Sequence, residues 1–144
     1  MTIGIASDHR GYKLKKLLKE NLSNYNIIDY GTDSEESVDF PIYAEKLGSA
    51  IQKGEVDFGV AICGTGIGMS ITLNKMKGVY CAKVSNLSEV MLSRSHNNAN
   101  ALAMSEDISI EVAIEMVNKF VETPFSNINK YIKRNDMIRE LEND

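Results

Sequence analysis

Cysteine is scarce in this chain, with only Cys63 and Cys81 in 144 residues. Two cysteines cannot build a disulfide framework, and their spacing does not pair them as zinc ligands. They read as reduced thiols, so the expected compartment is the cytoplasm. Long apolar runs are also missing, and no segment approaches the ~20 residues that a membrane-spanning helix needs. Residues 1–8 reach a charged side chain too soon for a signal peptide. Basic charge is outweighed, 16 Lys and Arg against 20 Asp and Glu, for a net charge of −4. A chain-wide basic field for nucleic acid is therefore absent.

What the chain does have is ordinary for a soluble globular protein: 43% hydrophobic and 25% charged residues. Its length suits one domain over residues 1–144, large enough to bury a core without a staple. Short apolar runs at residues 3–6, 27–30, 58–63, 79–84 and 101–104 alternate with segments of helical period. Leu14, Leu17, Leu18, Leu22 and Tyr25 share the inner face expected of the first helix, with Lys13, Lys15, Lys16 and Lys19 outside. Pro41 suits the first turn of a second helix. A third is expected to begin within residues 66–69 and end near Gly78. Ser88 and Ser109 are candidate caps for the next two, and a last helix covers about residues 129–141. Repeated βα units predict a three-layer α/β fold of the Rossmann-like kind. Its five-stranded parallel sheet carries helices on both faces, followed by a C-terminal helix.

Ligands of open α/β sheets bind outside the carboxyl ends of the strands. Two polar clusters are expected there: Ser7-Asp8-His9-Arg10-Gly11 after the first strand, and Cys63-Gly64-Thr65-Gly66-Ile67-Gly68 after the third. Three glycines in five residues let backbone approach a ligand, and the helix beyond offers unpaired N–H groups to phosphate or a developing oxyanion. A tight turn with no ligand is an equally weighted reading of that loop taken alone. The P-loop lysine is missing, and Gly68 comes one residue too early for a dinucleotide fingerprint. Cys63 stands just before a helix N-terminus, a setting that favours thiolate and so a base or nucleophile. Cys81, inside a strand, reads as a core residue.

The two histidines are His9 and His96. His9 is beside Asp8 at a strand's carboxyl end. His96 lies in Ser93-Arg94-Ser95-His96-Asn97-Asn98-Ala99-Asn100, at the far end of a helix that runs back to the amino edge. It should therefore lie away from Cys63 in its own subunit, and can share a site with it only across an interface. Lys130 and Arg134, one turn apart on the last helix, fall at the same edge and form a candidate phosphate clamp. A solvated helix face is the bland alternative.

These motifs, in this order, together with Asp39-Phe40-Pro41-Ile42-Tyr43-Ala44, resemble the type B ribose-5-phosphate isomerases and the related galactose- and allose-phosphate isomerases. The resemblance covers nearly the whole chain. It implies interconversion of an aldose phosphate and a ketose phosphate without metal or organic cofactor. By it, Cys63 is the base between C2 and C1, Thr65 supports the step, and the amides of Gly64, Gly66, Ile67 and Gly68 hold the enediolate. His96, with Asp8, opens the sugar ring. Asp8, Tyr43 and Asn97 contact hydroxyls, and His9, Lys130 and Arg134 hold the phosphate. The resemblance also implies a homodimer with shared sites, open to pairing as a dimer of dimers, with neither nucleic acid nor membrane as partner.

The chain departs from the family pattern at Lys130, which stands for an arginine, and in the lack of the Gly-Gly pair before it. Asp107 replaces an arginine after the fifth strand, a position expected at the partner-contributed edge. Ribose 5-phosphate is the leading substrate, and a six-carbon sugar phosphate such as galactose or allose 6-phosphate is the alternative. A non-catalytic sugar-phosphate- or nucleotide-binding module, or a cysteine-dependent hydrolase or transferase, is a more distant reading.

Overall fold

A computed structural model describes residues 1–143; Asp144, the last residue of the expected 1–144 unit, lies outside the described residues. The strands are β1 (Thr2–Ser7), β2 (Asn26–Asp29), β3 (Phe58–Cys63), β4 (Cys81–Lys83) and β5 (Ala101–Ser105). Between and after them run α1 (Tyr12–Asn21), α2 (Phe40–Gln52), α3 (Ile67–Asn74), α4 (Leu87–Ser95), α5 (Ile110–Glu122) and α6 (Asn129–Glu140). Every pairing is parallel, in the order β2-β1-β3-β5-β4. The expected α/β architecture is therefore present. No helix is long and apolar enough to cross a membrane among the described residues.

Strand periodicity divides the core by size. Ile3, Ile5, Val60, Ile62, Leu102 and Met104 face α1, α4 and α5 in one cluster. The alternate positions are small, including Gly4, Ala6, Gly59, Ala61, Ala101 and Ala103, and they receive α2 and α3. Closeness there is a necessity. A Cβ on Gly4 would stand 2.7 Å from Leu47 Cδ1, and one on Gly59 2.8 Å from Ile51 Cδ1. Cys63 lies on this small-residue face, so its sulfur falls beside the start of α3.

Several local expectations are corrected. Lys15 is buried, at 1% exposure, while Leu17 is exposed on the outer face. The Lys15 ammonium donates to Asp29 Oδ1 at 2.7 Å and to the Thr32 carbonyl, so a charge enters the core with its bonds made. α3 ends at Asn74 rather than near Gly78, and β4 has three residues rather than six. Just before β4 the Tyr80 N–H goes to Asn100 Oδ1, and on the strand's outer edge the Asn74 amide accepts from Cys81 N and donates to Cys81 O. α4 is capped by Asn86, not Ser88: Asn86 Oδ1 accepts from Glu89 N. Ser109 caps α5 as expected.

Asp29 links β2 to the loop that crosses the end of β1. Burial alone would raise its pKa, but bonds from Lys15, Lys19 and Gly31 N outweigh it and hold the carboxyl below its ordinary value of 3.8. A depressed carboxyl stabilises the fold above the unfolded pKa, and loses that contribution as pH falls through the folded one. Asp29→Asn, leaving Lys15 buried beside a neutral amide, is expected to cost about 3 kcal/mol at pH 7. In chemical denaturation at a series of pH values, the gap from wild type should close below about pH 4. A gap that widens in acid would contradict this assignment.

Candidate active site

The chain runs from β1 to β2 on one side, then crosses to β3 on the other, so the ends of β1 and β3 flank a topological switch point. Both polar clusters open there. Asp8 is buried, and its Oδ1 accepts from Arg10 N at 2.9 Å and Gly11 N at 3.0 Å, turning the chain into α1. Its Oδ2 has no hydrogen-bond partner among the described residues. His9 Nδ1 accepts from Val38 N at 3.1 Å. That bond assigns the neutral ring's proton to Nε2, which is left to donate. The Tyr43 ring packs against Gly31, where a Cβ would lie 2.7 Å from Cε1. Gly31 is in turn bonded through its carbonyl to Ser7 N. Tyr43 thus belongs to the same edge.

Cys63 ends β3, 5% exposed, and its Sγ accepts from Gly66 N at 3.2 Å. Gly66 has φ +83, and a Cβ there would lie 2.9 Å from the Met104 carbonyl carbon, so this position is confined to glycine twice over. Gly68 is packed under the Phe40 ring, at 2.6 Å from a hypothetical Cβ. Thr65 Oγ1 accepts from Ile67 N at 3.1 Å, while the Gly68 amide has no partner among the described residues. The loop therefore combines a thiol, a hydroxyl and free helix N-terminal N–H groups for a developing oxyanion. Cys81, by contrast, is pushed up to about 12 by burial, out of reach of ordinary acid–base work.

His96 is elsewhere. It caps the C-terminus of α4, and Asn100, four residues on, accepts from Gly59 at the start of β3. Cys63 is at the other end of that strand, about 13 Å away at the usual strand rise. At the amino edge, His96 stacks on Tyr131 with ring centroids 4.2 Å apart. Asn135 accepts from Asn97 Nδ2 and donates to the His96 carbonyl. Lys130 Nζ and Arg134 Cζ flank the same Tyr131 ring at 5.1 and 6.0 Å. A cavity of about 260 Å³ lined in part by Asn97 and Asn135 adjoins them. The candidate residues thus form two groups at opposite edges of the sheet: Asp8, His9, Tyr43, Cys63, Thr65 and the Gly64–Gly68 amides at one, His96, Asn97, Lys130 and Arg134 at the other.

Asp107 is not at the far edge, contrary to expectation. It follows β5, whose Ser105 pairs with Cys63, and so sits at the carboxyl edge. Sequence reasoning also missed Tyr131 and Asn135, although their i, i+4 spacing marks the inner face of α6. Arg10 and Glu106, 2.6 Å apart across the Cys63 loop, carried no signal because they are 96 positions apart. Among the described residues, no three His, Cys, Asp or Glu side chains are grouped to hold a metal.

Residues 3–138 match the Ribose/Galactose Isomerase family. The chain belongs to this family. It is 35% identical to ribose-5-phosphate isomerase B of Escherichia coli over 143 residues, covering 97% of this chain and 95% of that one. The structure of Clostridium thermocellum ribose-5-phosphate isomerase B superposes with TM-score 0.95 at 39% identity, over 99% of this chain and 97% of that one. The Mycoplasma genitalium enzyme, solved with bound ribulose 5-phosphate, gives TM-score 0.92 at 34% identity, covering 99% and 97%. Within the ribose/galactose isomerase family, then, the two edge clusters are the places to look for sugar-phosphate chemistry.

Gly54 and Gly66 separate backbone strain from packing. Both have positive φ, but a Cβ on Gly54 meets nothing within 4 Å. Gly54→Ala is expected to cost about 1 kcal/mol. Gly66→Ala should cost clearly more and should displace the Gly66 N–H from Cys63. Thermal unfolding of the two variants checks this, and equal losses would remove Met104 as the constraint.

Proposed function

We propose that the chain is a ribose-5-phosphate isomerase, a single domain over residues 1–144 that interconverts ribose 5-phosphate and ribulose 5-phosphate through an enediolate. The observation that carries the reading is the Cys63 loop: a thiol accepting an N–H, next to free amides at a helix start. Cys63 as thiolate removes the C2 proton of the open-chain aldose and returns it to C1, while the hydroxyl proton of O2 passes to O1. Gly66 N–H and Ile67 N–H are taken by Cys63 Sγ and Thr65 Oγ1. The remaining loop amides, Gly68 among them, hold the oxygen that becomes negative, and losing one such donor typically costs about 10²–10³ in turnover. Thr65 supports the transfer. Asp8 Oδ2 and Tyr43 hold hydroxyls, and His9 Nε2 donates to the phosphate. No metal or organic cofactor enters the proposed step, and the two free thiols fit a cytoplasmic enzyme.

The second group completes the site from another subunit. His96, with Asp8, opens the furanose ring, Asn97 binds a hydroxyl, and Lys130 and Arg134 clamp the phosphate. Lys130 does so as a point charge without an arginine's fork. What supports sharing is the separation of the groups across the sheet. Ile67 and Ile71, one turn apart on α3 and 54% and 57% exposed, add an apolar stripe beside the Cys63 loop. Burying that stripe in a homodimer would also exclude water from the thiol. Lys130 and Asp107 favour, as the second reading, a six-carbon substrate such as galactose or allose 6-phosphate, which relative kcat/KM would rank.

The test is conversion of ribose 5-phosphate to ribulose 5-phosphate in the presence of a chelator. Wild type should turn over, and Cys63→Ala, folded, should lose about 10³-fold or more in kcat. Turnover surviving in Cys63→Ala would remove the thiol as base. A folded wild type inactive on both five- and six-carbon substrates would overturn the isomerase reading.

A further inference from the structure

The loops leaving the carboxyl ends of the five strands are residues 8–11, 30–39, 64–66, 84–86 and 106–109. They contain seven carboxylates and a single Lys or Arg, Arg10. A sugar phosphate brought to Cys63 carries a dianion into that field, where fixed like charges disfavour it. Arg10 is the one compensating cation that this chain's own loops provide.

Its placement is specific. Arg10 Nε faces Glu106 Oε2 at 2.6 Å, an ion pair that joins the loops after β1 and β5. Gly64, next to Cys63, lies beneath that pair. A Cβ there would stand 3.6 Å from Glu106 Oε2 and 3.9 Å from Arg10 Cγ and Cζ. The contact to Glu106 is an ion pair at Nε, and neither Nη group has a hydrogen-bond partner among the described residues. The guanidinium is 60% exposed while its anchor is 25% exposed. An anchored arginine with a free fork matches the oxygen pair of a phosphate, and preorganisation reduces what binding must order.

We propose that Arg10 is a substrate-binding residue that takes the phosphate of the sugar phosphate through its Nη groups, with Glu106 as its positioning residue. This rests on the isomerase reading, which it deepens by adding, beside His9, a second phosphate contact from the subunit that carries Cys63. The guanidinium neutralises the dianion at an otherwise acidic edge, and Glu106 keeps it over Gly64 rather than free in solvent.

Steady-state kinetics on ribose 5-phosphate, with inorganic phosphate as competitive inhibitor, test the assignment. Arg10→Ala should raise KM and the phosphate Ki by about 10-fold each, with kcat changed far less. Arg10→Lys should recover part of the loss, and Glu106→Ala should raise KM by a smaller factor. KM and Ki in Arg10→Ala within twofold of wild type, with wild type active, would overturn the proposal while leaving the isomerase reading intact. Equal falls in Tm for Arg10→Ala and Glu106→Ala with unchanged KM would reduce the pair to a structural strap. Calorimetric titration of the folded protein with inorganic phosphate needs no turnover. Binding weakened by Arg10→Ala supports the contact even if ribose 5-phosphate is not the substrate, and unchanged binding overturns it.

Discussion

A helix that follows a parallel strand must run back to where the strand began, and this constraint divides the chemistry of the chain in two. Loops after strands collect at the carboxyl edge, where Asp8, His9 and Cys63 stand. Residues at helix ends collect at the amino edge, where His96 caps α4 and meets Tyr131 of α6. No rotamer change can carry an imidazole across a sheet whose core is close-packed. The fold therefore separates two polar groups, one of backbone amides and a thiol, the other of rings and cations.

Each half is braced by a buried cation whose bonds are made. Near the carboxyl edge, Lys15 ties Asp29 to the Thr32 carbonyl, fixing the strand-two loop that lies against Ser7 and under Tyr43. Near the amino edge, Arg94 is 9% exposed and donates to the carbonyls of Thr123 and Ala99 and to Asn98 Oδ1. Its guanidinium also lies over Phe58, 4.9 Å from the ring centroid. Those bonds fold the chain into the tight turn that presents His96 and Asn97. Buried ions contribute little net stability when their desolvation is counted, but they penalise any other arrangement of their partners. Geometry, more than stability, is what these two residues provide.

Much of this was legible in the residues. Alternation of short apolar runs and helical periods located the sheet, and the Cys63 to Gly68 loop stood out because glycine spacing and a strand end coincide. Even the separation of His96 from Cys63 followed from chain direction alone. What was not legible depended on partners distant in sequence. Lys15 reads as a surface lysine until Asp29 is placed beside it, 14 residues on. β4 reads as a six-residue strand until the Tyr80 N–H is found on Asn100 Oδ1, 20 residues on.

Subunit mixing measures the central claim, that one working site draws its thiol from one chain and its imidazole from another. Cys63→Ala and His96→Ala proteins, each inactive alone, would be combined in equal amounts under conditions that exchange subunits. In a twofold-symmetric dimer, half the products are hybrids, and each hybrid carries one intact site. The account predicts recovery to about one quarter of wild-type activity. No recovery, with hybrids verified by mass, would place both groups in one chain and contradict the divided site.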